Sequence, residues 1–181
     1  MERYGGGAIL IQDYDPRWPA MFADERAHIA MALGSALVAV EHVGSTAVPG
    51  LAAKPIIDML VGGRSLTQAR STCVAPLQRL GYVYLPEYES WLPEELFFRK
   101  GPPGPWTHHV HLMEPTAVRW GEQLLFRDYL RAHPEVAQEY GQLKRALAGA
   151  VGDDVVGFRA GKHPFIRTVL AKARAETALP A

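Results

Sequence analysis

Apolar residues recur at helical spacing in AMFADERAHIAMALG, residues 20–34, and the pattern stops at Gly34. It predicts a helix opened by Pro19 behind Trp18, since proline is tolerated in a first turn. ALVAVEHVG (36–44) reads as a strand, and STAVPGLA (45–52) as a turn with room for one helical turn, closed by Pro49-Gly50. KPIIDMLVGG (54–63) is a second strand, β-branched and apolar, ended by two glycines. SLTQARSTCVAPLQRLG (65–81) is helical, with Ser65 as N-cap and Gly81 past its end, and Pro76 kinks or divides it. YVYLPEYESWLP mixes strand and loop, ELFFRKG and THHVHLME read as strands, and GPPGPW between them is irregular. From Val118 the period turns helical, in RWGEQLLFRDYLRAH, EVAQEYGQLKRALAGAVG and HPFIRTVLAKARAETA. Residues 1–19, with Gly5-Gly6-Gly7 and DYDPRWP, are expected to be irregular. The sum is an α+β fold in one domain over 1–181. A short mixed β-sheet flanked by helices occupies about 20–115, and a helical C-terminal third about 116–175. A connection as short as 44–52 makes the strands on either side of it neighbours in the sheet.

Within IIDMLV, Asp58 interrupts a strand that otherwise seeks burial. A buried carboxylate without a partner is costly, so it protonates, pairs or binds a cation. Alternation puts Ile56, Asp58 and Leu60 on one face and Ile57, Met59 and Val61 on the other. If the second set meets the helices, the first lines a cleft. Upstream, Gly44-Ser45 opens the turn after the preceding strand. A turn with free N–H groups and the hydroxyls of Ser45 and Thr46 suits phosphate; it equally suits an ordinary N-cap. A carboxylate beside such a cradle suggests a divalent cation bridging protein and phosphates, since hard cations take oxygen ligands. A structural Asp capping a neighbouring turn is the plainer alternative.

These residues carry a resemblance. Hydrophobic-Gly-Ser, about a dozen residues, then Asp-hydrophobic-acid-hydrophobic is the signature of the nucleotidyltransferase (polymerase-beta-like) superfamily. VGS, twelve residues and DMLV match its first parts. EHVGSTAVPGLAAKPIIDMLV, with FFRKG, THHVHLME, FRDYLRAHP and the lone Gly-Lys at 161–162 in the same order, resembles the GrpB-like family over residues 10–170. The resemblance implies a nucleotidyltransferase-like fold and little about substrate. A GrpB-like domain also occurs fused to dephospho-coenzyme A kinase, which links it to CoA or nucleotide metabolism only by association. The chain departs from the superfamily where the second acid belongs: position 60 is Leu. Two-metal transfer needs carboxylates to hold both ions, so either another ligand substitutes or the protein binds without that catalysis.

His109 and His111 share one face of their strand, with Val110 and Leu112 on the other. If the apolar pair fills the core, both imidazoles face the cleft. With Asp58 they make three ligands for one divalent metal (Mg, Mn or Zn), imidazole favouring transition ions. Half-exposed histidines making hydrogen bonds are the alternative. His42 is expected to join the cleft and Glu41 to point away from it. Lys54, Arg99, Lys100 and Lys162 are candidate phosphate contacts, and surface placement is the default for each. GFRAGKH is not a P-loop, because three residues rather than four separate its glycines and no Ser or Thr follows Lys162. Tyr88, Glu89 and Trp91 are placed to cover the cleft and stack on a base, or simply to pack.

Lys+Arg and Asp+Glu balance at 19 each, so no global field attracts nucleic acid, and an anionic ligand must be held locally. The expected partner is a small nucleotide or other phosphorylated ligand. The single Cys73 sits in a helical pattern as a small hydrophobe, although a nucleophile is the sharper reading. One cysteine, no signal-like N-terminus and no membrane-length apolar run together suggest a cytoplasmic protein. Three functions remain open: a nucleotidyltransferase-type enzyme, a silent nucleotide- or CoA-related binding module, and a His/Asp metal-dependent hydrolase.

Overall fold

The computed structural model describes residues 9–102 and 105–178. The glycine triplet at 5–7 and part of the GPPGPW loop lie outside them. Five strands form one mixed sheet: β1 (Leu37–Val43), β2 (Ile57–Gly63), β3 (Tyr82–Tyr84), β4 (Glu95–Lys100) and β5 (His108–Met113), in spatial order β1-β2-β5-β4-β3. β1 and β2 are antiparallel neighbours, as the short connection requires. β2 and β5 are the parallel pair, and β4 and β3 follow antiparallel.

One face of the sheet carries the larger core. Ile57, Met59, Val61, Val110, Leu112, Leu96 and Phe98 pack there. They meet α1 (Trp18–Leu33), α2 (Leu66–Thr72) and α3 (Val74–Arg79) through Trp18, Ile29, Ala69, Cys73 and Leu77. Cys73 is therefore a buried core hydrophobe. Ser65 caps α2 by accepting from Gln68 N at 3.2 Å. The predicted 65–81 helix is divided at Cys73 into α2 and α3, with Pro76 in the first turn of α3.

The opposite face belongs to the C-terminal helices α4 (Val118–Ala132), α5 (Pro134–Val151) and α6 (Val155–Ala178). They cover it unevenly. Val43, Leu60, Met113 and Trp120 close one end, and Val48, Leu51, Leu130, Ala137 and Tyr140 seat the 44–52 connection on α4 and α5. α6 begins eight residues earlier than the sequence pattern predicts and runs through Pro164. Proline removes one backbone bond, but buried Phe158 before it and Val169, Leu170 and Ala173 after it hold a single helix against its neighbours. Gly157, Gly161 and Lys162 consequently lie on a helix, not in a loop. Among the described residues, no helix is long and apolar enough to cross a membrane.

Candidate functional site

Gly44 explains why the Gly-Ser and the Asp occur together. It sits at φ 69°, ψ −172°, a conformation essentially restricted to glycine. A Cβ there would collide with Asp58 Oδ2 and come within 3.0 Å of Asp58 Cβ and Cγ. Val43 pairs with Asp58 across β1 and β2, so the turn folds directly over the carboxylate. Ser45–Ala47 form the single helical turn expected from the sequence. Thr46 is not offered to a ligand. Buried, its hydroxyl donates to Ile56 O at 3.2 Å and meets His42 Nε2 at 3.0 Å, clamping the turn between β1 and the residue that leads into β2. The expected roles of Glu41 and His42 reverse. Cross-strand pairing places Glu41 on the face of Leu60, where Arg127 binds it at 2.7 Å. His42 faces α1, stacked on Phe22 at 4.6 Å. Burial first, and then Arg131 and Arg127, lower its pKa to about 4 against the pull of Asp58.

Register aligns Asp58, His109 and Arg99 in one row across β2, β5 and β4. His109 Nδ1 lies 3.0 Å from Asp58 Oδ1, and His111 Nε2 lies 3.9 Å from the same oxygen. Burial disfavours the Asp58 charge, yet the hydrogen bond to His109 and the nearby His111 imidazole outweigh it and hold the carboxyl well below the usual range. The three side chains are 29%, 17% and 14% exposed, so the cluster is open to solvent on one side. Their donor atoms all lie within 4.8 Å of one another. Two ligand atoms about 2.0–2.1 Å from a tetrahedral ion stand roughly 3.3 Å apart, and 3.0 and 3.9 Å bracket that figure.

Glu95, which the sequence reading missed, completes this arrangement. It is fully buried, accepts from His111 Nδ1 at 3.1 Å and is held by Arg119 Nε at 2.9 Å. A carboxylate behind one ring nitrogen turns the other nitrogen toward the site, the usual support of a metal-binding histidine. Burial opposes a charge on His111, but Glu95 and Asp58 prevail and raise it to about 9, so an ion binding there displaces a proton. Burial foremost lowers His109, leaving its neutral form favoured. Its Nε2 is buried and makes no hydrogen bond. Counting back by twos from Arg99 through Phe97 reaches Glu95, so alternation alone would have put it on this face.

Facing Asp58 is a concentration of cations from the helical third. Burial first, then positive neighbours, lower Lys144 to about 7 and Lys162 to about 8, while Asp58 pulls both upward. Lys54 is lowered for the same reasons, with Arg159 and Arg99 as its positive neighbours. Lys54 and Lys162 Nζ lie 5.0 and 4.8 Å from the Phe158 ring centroid. Lys144 donates to Ser45 Oγ at 2.7 Å and to the Ala52 carbonyl. Lys144 and Arg159 carried no sequence motif; only the docking of α5 and α6 brings them here. Arg99 donates to Tyr88 OH at 2.6 Å, and Tyr88 lies 4.6 Å from Phe97, on the same face as the site. The other expected members lie elsewhere. Lys100 alternates to the opposite face and binds Glu25 at 2.8 Å. Glu89 pairs with Arg70 at 2.6 Å, whereas Trp91, largely exposed, lies 5.5 Å from the Tyr88 ring beside the site. Leu60, where a second acid was sought, is sealed beneath Trp120.

Comparison with known proteins gives a consistent match. The sequence model of the family described as GrpB protein covers residues 8–172. The UPF0157 protein YqkA of Bacillus subtilis is 38% identical over 89% of this chain and 46% of its own length. A dephospho-CoA kinase of Mycolicibacterium paratuberculosis is 32% identical over 88% of this chain and 44% of its own length. The chain thus spans less than half of either relative. The crystal structure of the conserved protein GrpB from Enterococcus faecalis superposes with a TM-score of 0.82 at 35% identity, covering 93% of this chain and 99% of that one.

Proposed function

The chain belongs to the GrpB family, and from that premise we propose that its Asp58 face binds a nucleoside triphosphate or related phosphorylated compound with one divalent metal ion, in nucleotidyltransferase-type chemistry. The observation that carries this reading is the charge of the site. One ligand-competent carboxylate, Asp58, shares its field with Lys54, Lys144, Lys162, Arg99 and Arg159. Buried and half-buried cations gathered near a single acid suit a polyanion, because each phosphate charge offsets a partly desolvated cation. Asp58, His109 and His111 hold the metal, which neutralises phosphoryl charge and polarises a phosphoryl oxygen when bound. Ser45 and the turn after Gly44 hold phosphate, and Lys54 and Lys162 neutralise it. The sealed Leu60 argues for a single-ion site, with imidazoles standing where the superfamily keeps a further acid.

The dephospho-CoA kinase relative favours adenine-containing compounds of the CoA type among the candidates, and such a ligand is a cytoplasmic metabolite. Calorimetric titration with Mg²⁺, Mn²⁺ or Zn²⁺, and with ATP, CTP, dephospho-CoA and CoA, tests the reading. Wild type should bind a metal and at least one phosphorylated compound, and Asp58→Asn should lose at least tenfold in metal affinity while melting as a folded protein. Equal metal affinity in both proteins, or binding of none of the compounds, refutes it.

A further inference from the structure

Lys144 is 3% exposed, at the middle of α5, far from the chain segment that carries the Gly-Ser turn. An amine so deeply placed calls for a reason. Its two hydrogen bonds go to Ser45 Oγ and to the Ala52 carbonyl, near the start and past the middle of the 44–56 connection between β1 and β2. Its Nζ lies 4.7 Å from the Tyr140 ring centroid. The charged groups that act on it come from three elements: Lys162 on α6, Arg145 on α5 and Asp58 on β2.

An ammonium can only donate. When Lys144 is charged, Ser45 Oγ must accept from it, and the hydroxyl proton is directed elsewhere. Among the described residues Ser45 Oγ makes no second hydrogen bond. The charged lysine thus takes one lone pair of the hydroxyl and leaves its proton to donate in the remaining directions, to a ligand if one is present. A tetrahedral phosphate oxygen, which accepts and never donates when ionised, is the group this arrangement fits. Nearby negative charge also favours the ammonium form, so the orientation tightens as a phosphate arrives.

We propose that Lys144 is a positioning residue of the phosphate site: it orients the Ser45 hydroxyl as a donor to an ionised phosphate group, and so makes the C-terminal helices part of the binding turn. This rests on the phosphate reading of the cleft. It goes beyond that reading by assigning a role to a residue outside every motif, and by making two residues act as one unit.

A double-mutant cycle tests it, with inorganic tripolyphosphate as the probe and affinities measured by calorimetry on the full chain. A charge-assisted hydrogen bond is worth roughly a ten- to hundredfold change in affinity. Ser45→Ala and Lys144→Met should each weaken binding by about that factor, and the double variant should bind no more weakly than the worse single one. Lys144→Gln, which keeps an N–H for the Ala52 carbonyl, replaces Lys144→Met if the latter fails to melt cooperatively. A purely structural lysine would lower stability without coupling to Ser45. Losses that multiply in the double variant, or an unchanged affinity in either lysine variant, overturn the proposal while leaving the phosphate reading intact. A folded wild type that does not bind tripolyphosphate overturns both.

Discussion

Replacing Gly44 by Ala is the sharpest probe of how turn and carboxylate are joined. Two penalties add. The backbone at φ 69°, ψ −172° lies in a region essentially confined to glycine, and holding another residue there costs on the order of 1–3 kcal/mol. The new Cβ also meets the Asp58 carboxylate and, at 3.0 Å, its Cβ and Cγ. Asp58 must then move, breaking the 3.0 Å contact with His109; a hydrogen bond to a charged group is worth about 1.5–3 kcal/mol. The expected loss is about 2.5–6 kcal/mol, a large fraction of the stability of an ordinary domain. Urea unfolding at equilibrium measures it, with the slope compared to ensure that the same surface unfolds. The same substitution in an Asp58→Ala background separates the two penalties, because the carboxyl is gone and only the backbone cost and a residual Cβ contact remain. A Gly44→Ala loss below about 1 kcal/mol, or one equal in both backgrounds, refutes the reasoning.

Two further outcomes follow from burial. Leu60→Asp, which writes in the acid of the superfamily pattern, should destabilise the fold by at least about 2 kcal/mol in the same urea assay, because it removes a leucine packed with Val43, Met113 and Trp120. It should also leave metal stoichiometry unchanged; a second equivalent of bound metal would contradict the sealed position. Lys144 titrates near 7 in the folded chain, against an ordinary lysine value of 10.5. The folded state thus releases its proton first, and this residue's contribution to stability rises as pH climbs from about 7 toward 10. Lys144→Met lacks that term, so the unfolding free energy of the variant minus that of wild type should fall, becoming more negative, over this range by about 1.4 kcal/mol per pH unit at its steepest. Taking the difference cancels His111, which is raised to about 9 and acts in the opposite sense. A flat or rising difference refutes the lowering of Lys144 by burial.

Most of what the sequence showed about the site lay in short-range patterns. Period-2 alternation put Asp58, His109 and His111 on one face with Val110 and Leu112 in the core, and register then made Asp58 and His109 direct neighbours. The same rule, applied one residue out of step in β1, exchanged Glu41 and His42, because the face of a short strand depends on which residue is counted as paired. Lys100 was drawn in by its neighbour Arg99, although adjacent strand residues point to opposite faces.

By itself the sequence determined the type and order of most elements and the β1-β2 pairing across the thirteen-residue connection 44–56, since these are local: backbone propensity, alternation and a connection short enough to favour adjacent strands. Only the tertiary structure decided the rest. Lys144, Lys162 and Arg159 sit on amphipathic helices whose spacing says which residues share a face but not what that face will meet. Glu95 reaches His111 because β4 lies beside β5, a pairing set by packing across the whole sheet. Leu60 is closed and Asp58 open, two residues apart on one strand face, because Trp120 of α4 covers the first and stops short of the second.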